Sequence, residues 1–271
     1  ELEALGYDPA MAEAARSSRT LRALARRLAR LPLPRRSGRT TACALLLALL
    51  AGALAPQALQ AQPRPGSTTY ADHAGARALA EAIDAAEGWG DGWARHWLAQ
   101  AQPDWRARAL NAAPAPTAYP NWTAYRARFV EPRRIAAGVR FWDAHAESLA
   151  RAQKRYGVPA AVIVGIIGVE TLYGQHLGQH RTLDVLATLA LDFPSEHPRA
   201  AARQAFFRDE LRAFLRLARA TGVAPDAWRG SYAGALGWPQ FMPSSWLAHA
   251  VDFDGDGRID LIGSPTDAIG S

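Results

Sequence analysis

The chain is predicted to be mainly α-helical, and three observations support this. Apolar residues recur at helical spacing over long stretches. Glycine and proline fall where helices should start and stop. No segment shows the sustained apolar–polar alternation of a half-buried strand. Helices are expected over 73–87 and 92–101, followed by a break between Pro114 and Pro120. From Pro132, the series Ile135, Val139, Trp142, Ala146, Leu149 and Tyr156 marks one amphipathic helix ending at Gly157. A second spans 159–173, with Pro159 in its first turn and Gly174 just past its end. Thr182 is placed to cap a helix running through Leu191. Phe207, Leu211, Phe214 and Ala218 stripe another across about 198–220. Trp89, Trp93, Trp97, Trp105 and Trp122 cluster in the first half, either as helix-packing contacts or as rings for sugar stacking.

The 271 residues suit one large domain or two small ones, and 49% are apolar, enough for a sizeable core. The net charge of +6 is unevenly placed: residues 1–61 hold 9 of the 31 basic residues and 4 of the 25 acidic ones. The remainder is near neutrality and offers no basic face, so nucleic-acid binding has no support.

The excess of arginine between Arg16 and Arg39, followed by the apolar run Ala42–Ala55, reads as an export signal. Cleavage is expected after Ala55 or Ala61, and 62–70 reads as a linker. The apolar run is shorter than the ~20 residues that span a bilayer. The sole cysteine, Cys43, would leave with the signal, so no disulfide and no thiol nucleophile are expected. No cysteine follows the apolar run as a lipid acceptor. The expected location is the periplasm.

Three ordered signals carry chemistry. The first is Glu170-Thr-Leu-Tyr-Gly174, where Glu170 is a lone carboxylate closing the apolar segment 158–174. Burial and the helix C-terminus would both favour its protonated form, which is what an acid catalyst of glycoside cleavage needs. The alternative is a structural glutamate paired with a nearby arginine such as Arg181. The second is Gly230–Ser245, a Gly/Pro-punctuated apolar stretch expected to form a ligand-lining or packing loop, with Ser231 and Gln240 as its ligand-orienting groups. The third is Asp252-Phe-Asp-Gly-Asp-Gly-Arg258: Asp252, Asp254 and Asp256 hold positions one, three and five of a calcium loop, and the Arg258 carbonyl holds position seven. Gly263 stands where an EF-hand has its bidentate glutamate, and Asp267 could close a longer loop. A metal-free Asp/Gly turn is the alternative.

Together these motifs, with Trp122-x-x-Tyr125-Arg126, Phe141-Trp142 and Asp267-Ala-Ile-Gly-Ser271, resemble the membrane-bound lytic murein transglycosylase B family across roughly 120–271. The resemblance implies a lysozyme-like catalytic domain at 120–271, with an EF-hand-like calcium loop and a linker plus helical part at 62–119. It also implies that the family's domain continues past Ser271, so this chain is expected to be truncated at its C-terminus. The substrate implied is the glycan strand of peptidoglycan, cleaved at the β-1,4 bond between N-acetylmuramic acid and N-acetylglucosamine to leave a 1,6-anhydromuramyl end. The catalytic acid/base falls on Glu170, and Ser231, Gln240, Tyr125 and Arg203 fall on substrate-binding positions. The calcium ligands fall on Asp252, Asp254, Asp256, Arg258 and Asp267, the only cofactor implied being Ca²⁺. Proteins of cell-wall synthesis or division are candidate partners.

Ordinary glycosidases use two carboxyl groups. Neither catalytic motif supplies a second, so Glu170 is expected to serve as acid and then as base, with the muramyl acetamido group stabilising the anomeric carbon. A hydrolytic muramidase and a calcium-stabilised, non-catalytic peptidoglycan-binding module are the rivals.

Overall fold

The computed structural model describes residues 69–112 and 121–271. The expected export signal, Cys43, most of the linker and the 114–120 break lie outside them. Helix α1 (Ala74–Glu87) is capped by His73, whose Nδ1 accepts from Ala76 N at 3.1 Å, and ends at Gly88 in the left-handed region. Helix α2 (Trp93–Gln100) follows, burying Ala94 and Leu98. Helices α3 (Trp105–Ala112) and α4 (Trp122–Phe129) were not anticipated. Each is only eight residues long and buries one residue or none, so neither carries a readable apolar face.

The single helix expected over 132–156 is two: α5 (Pro132–Ala144) and α6 (Ala146–Tyr156). They break at His145, whose backbone leaves the helical region at φ −119°, ψ 23°. The break lets Phe141 and Leu149 enter the same apolar cluster from two directions, a choice that periodicity along the chain cannot register. Pro132 opens α5, and the Glu131 carboxylate caps it by accepting from Arg133 N and Arg134 N, each at 2.7 Å.

Helix α7 (Ala160–Thr171) lies within the expected segment. It leads to β1 (His180–Arg181), helix α8 (Thr182–Leu191) and the 22-residue α9 (Ala200–Thr221), which ends at Gly222. Strand β2 (Arg229–Gly230) pairs antiparallel with β1, His180 opposite Gly230. Short helices α10 (Pro243–His249) and α11 (Pro265–Gly270) complete the order. Thr182 is not the cap of α8. Arg181 holds that position, and the Thr182 hydroxyl is buried without a hydrogen-bond partner among the described residues. Pairing with β2 draws the chain in extended form through Arg181, which moves the helix start by one residue.

Helix α8 lies at the centre, with Thr182–Ala190 all buried. Phe207, Leu211 and Phe214 of α9 pack on it, and the same core takes Ala80 and Ile83 of α1, Leu98 of α2 and Ala107 of α3. The helices of 74–112 therefore share a core with 183–261, and residues 68–271 form one unit. A second cluster joins Phe141, Leu149, Val164, Ile167, Phe253 and Ile269. Of the tryptophans, Trp89 and Trp97 pack against the first core, whereas Trp122 is 69% exposed. No helix among the described residues is long and apolar enough to cross a membrane.

Candidate active site

Helix α7 ends in an unusual turn. Leu172 and Tyr173 both take positive φ (50° and 56°), and Gly174 follows at 77°. Two consecutive non-glycine residues in the left-handed region cost on the order of 1–3 kcal/mol each, so surrounding contacts must hold them there. The Tyr173 ring packs over Gly138 and Gly168, where any Cβ would collide with it, and its centroid lies 5.3 Å from that of Phe141. Burial pushes the Tyr173 hydroxyl above its ordinary pKa.

Glu170 stands on the last turn of α7 and is exposed, together with Val162, Ile166 and Val169. The burial that its apolar neighbours suggested is not found. Helix α7 buries Ala160, Val164, Ile167 and Thr171 on one side, and Glu170 falls on the other. The rival pairing with Arg181 is also absent, because Arg181 Nη1 bonds Asp184 Oδ2 at 3.1 Å.

The glycine-rich loop after β2 packs closely against this turn. A Cβ on Gly174 would lie 2.5 Å from the Trp238 ring, and one on Gly178 (φ 93°) would lie 2.5 Å from Ser231 N and closer still to Gly230. Both are inside van der Waals contact, so these glycines are required for the approach. Gln240, itself at φ 52°, donates through Nε2 to Gly237 O at 2.9 Å and to Leu177 O at 3.4 Å. Ser231 Oγ accepts from Ala233 N at 3.2 Å and Ala235 N at 3.0 Å, which leaves its proton to donate. The structure thus brings Ser231 and Gln240 onto the loop that packs against the Glu170 turn.

The other expected groups are held separately. Tyr125 lies on α4, 42% exposed, its ring stacked on Trp122 at 5.9 Å and next to Phe129 at 5.0 Å. The Arg203 guanidinium lies 5.1 and 4.9 Å from the ring centroids of Phe206 and Phe207 on its own helix, contacts that join it to none of these groups. Sequence reasoning missed the contribution of Gly178, whose backbone close to β2 makes the junction. Its one signal is a glycine that follows Gly174 without ending any helix.

At the third motif, Asp252, Asp254 and Asp256 each offer a carboxylate oxygen, all within 4.8 Å of one another. No ion pair among the described residues involves them, so the three negative charges repel one another and suit a divalent cation with oxygen ligands. Gly255 (φ 83°) and Gly257 (φ 87°) supply the turn, and Asp252 accepts from Gly255 N at 2.6 Å and Gly257 N at 2.8 Å. Asp267 is not one of the three converging carboxylates, but it reaches the same loop. It is 1% exposed, and its carboxylate accepts from Phe253 N at 2.8 Å, Asp254 N at 3.3 Å and Asp260 N at 2.8 Å. It therefore ties the two ends of the loop to α11, while the Arg258 backbone lies in the turn, its N–H donating to Asp256 Oδ1 at 2.8 Å.

Comparison with known proteins places the chain among relatives of one kind. The model of the transglycosylase SLT domain matches residues 72–271. The membrane-bound lytic murein transglycosylase B of Escherichia coli is 47% identical over 158 residues, 58% of this chain and 42% of that protein. The soluble lytic transglycosylase SltB1 of Pseudomonas aeruginosa superposes with a TM-score of 0.67 at 45% identity, covering 73% of this chain and 64% of that one. The E. coli lytic transglycosylase Slt35 in complex with calcium gives a TM-score of 0.66 at 37% identity, covering 77% and 65%. The chain thus spans less than two thirds of the length of each of these relatives. Its mainly helical architecture is the lysozyme-like one of these enzymes, and the chain belongs to the transglycosylase SLT domain family.

Proposed function

We propose that this protein is a lytic transglycosylase of peptidoglycan, cleaving the β-1,4 bond between N-acetylmuramic acid and N-acetylglucosamine without water. The observation that carries the reading is the junction of Glu170's turn with the loop bearing Ser231 and Gln240, in which Glu170 is the sole carboxylate of either segment. A single carboxyl group cannot run the two-carboxylate scheme of ordinary glycosidases, so the substrate must supply the second function.

In this mechanism Glu170 donates its proton to the departing glycosidic oxygen. The acetamido carbonyl of the muramyl ring stabilises the anomeric carbon from the opposite face. The Glu170 carboxylate then takes the proton of the sugar's own O6 hydroxyl as that oxygen closes onto C1, giving a 1,6-anhydro end and restoring the acid. Ser231 would donate to Glu170 or to the acetamido oxygen, and Gln240, Tyr125 and Arg203 would hold the sugars. Asp252, Asp254, Asp256, the Arg258 carbonyl and Asp267 would hold a calcium ion, which supplies loop rigidity and no chemistry. The proposed location is the periplasm; the E. coli relative is membrane-bound by name.

Mass spectrometry of digested sacculi tests the reaction. Anhydro ends, lighter than reducing ends by one water, are expected, and Glu170→Gln should abolish their release while glycan binding persists. Reducing ends would instead identify a hydrolytic muramidase, for which the exposure of Glu170 leaves room. Binding without any cleavage by the parent would identify a non-catalytic module.

A further inference from the structure

We propose that Thr171 is a positioning residue that sets the direction of the Glu170 carboxylate; the inference rests on Glu170 being the catalytic acid. Among the described residues, no hydrogen bond or ion pair holds that carboxylate, so its aim must come from the backbone that carries it. Successive helical residues are rotated by about 100°. Glu170 therefore faces solvent while Thr171, 1% exposed, faces the interior. Whatever fixes the azimuth of Thr171 fixes that of Glu170.

Three groups surround the Thr171 hydroxyl. Its oxygen lies 3.2 Å from Ile167 O and 3.2 Å from Trp238 O, sharing its one proton between these carbonyls, and it accepts from Gly174 N at 3.0 Å. The bond to Ile167 is the ordinary back-bond of a helical threonine. The other two are not. One grips the glycine-rich loop, and the other closes the turn through Leu172 and Tyr173, whose left-handed backbone would otherwise relax. The gripped peptide is itself anchored. Trp238 N donates to Leu261 O at 2.9 Å, Trp238 Nε1 donates to Ile262 O at 2.9 Å, and the Trp238 ring covers Gly174. The hydroxyl thus references the end of α7 to a peptide braced by the segment between Asp260 and Asp267. Valine, of nearly the same shape but without hydroxyl, would leave α7 free to rotate about its axis at its last turn.

The test compares the parent protein with Thr171→Val, Thr171→Ser and Glu170→Gln, measuring kcat and KM for muropeptide release from sacculi and the melting temperature of each. Thr171→Val should lower kcat by roughly 10- to 100-fold with KM within about twofold, because misplacement of a catalytic group costs turnover rather than uniform binding. Thr171→Ser, which keeps the hydroxyl, should recover kcat to within about threefold of the parent, since its hydroxyl still reaches the same partners. If Thr171→Val lowers the melting temperature but leaves kcat per folded molecule unchanged, or if serine fails to rescue, the proposal is overturned. Should Thr171→Val not fold, Thr171→Ala makes the same comparison against Thr171→Ser. A Glu170→Gln variant as active as the parent would defeat the catalytic assignment instead, an outcome separable from any result at Thr171.

Discussion

Gly178→Ala tests the junction on which the site depends. The new methyl carbon would sit 2.5 Å from Ser231 N and closer to Gly230, all backbone atoms that no side-chain rotation can move. The backbone at φ 93° adds strain of its own for an L residue. Left-handed backbone costs about 1–2 kcal/mol, and overpacking costs about 1–3 kcal/mol, so a loss of about 2–5 kcal/mol is expected. For a unit of this size each kcal/mol lowers the melting temperature by about 2–4 °C, which makes the expected drop roughly 4–20 °C. Gly157→Ala is the control, because Gly157 also has positive φ (75°) but nothing lies within 4 Å of a Cβ there. It should show the backbone cost alone. The assay is thermal unfolding of both variants, followed by muropeptide release below the lower midpoint. Gly178→Ala should be the less stable and should also lose activity, because Ser231 and the Glu170 turn are pushed apart. Equal melting temperatures with full activity in Gly178→Ala would refute the close approach.

Two further outcomes are expected. Calcium added after chelation should raise the melting temperature, and Asp254→Ala should remove most of that rise; the absence of any shift in the parent would count against the metal loop. His145 at the α5–α6 break has its pKa lowered by burial, so the folded state resists its protonation. The stability it contributes is full above the unfolded value of about 6.5 and is lost as pH falls through the lower folded value. The parent should therefore lose melting temperature more steeply between pH 7.5 and 5 than His145→Gln, and parallel curves would contradict this.

Much of the helical layout was legible before the structure, and the misses have specific causes. Helix α9 was readable because Phe207, Leu211 and Phe214 repeat at the helical period and all three are fully buried. The α5–α6 pair read as one helix because its apolar spacing runs unbroken through His145, although the backbone does not. Thr182 read as a cap because its type suits one; pairing between β1 and β2, remote in the chain, gave the position to Arg181. In the site, the spacing of Asp252, Asp254 and Asp256 with Gly257 was enough to anticipate their convergence. Asp267 was harder, since nothing local says that its oxygens are taken by three backbone N–H groups.

Glu170 shows where the division lies. Its place at the end of an apolar helix, before a glycine and ahead of the Gly230–Ser245 loop, follows from residue types and their order, because helix ends, tight turns and carboxylate chemistry are local properties. Its exposure, its lack of a hydrogen-bond or ion-pair partner among the described residues and its nearness to the loop sixty residues on do not. They depend on which face of α7 finds a neighbour and on how closely Gly174 and Gly178 let a distant backbone approach. Packing between segments far apart in the chain sets both, and periodicity along one segment carries no record of it.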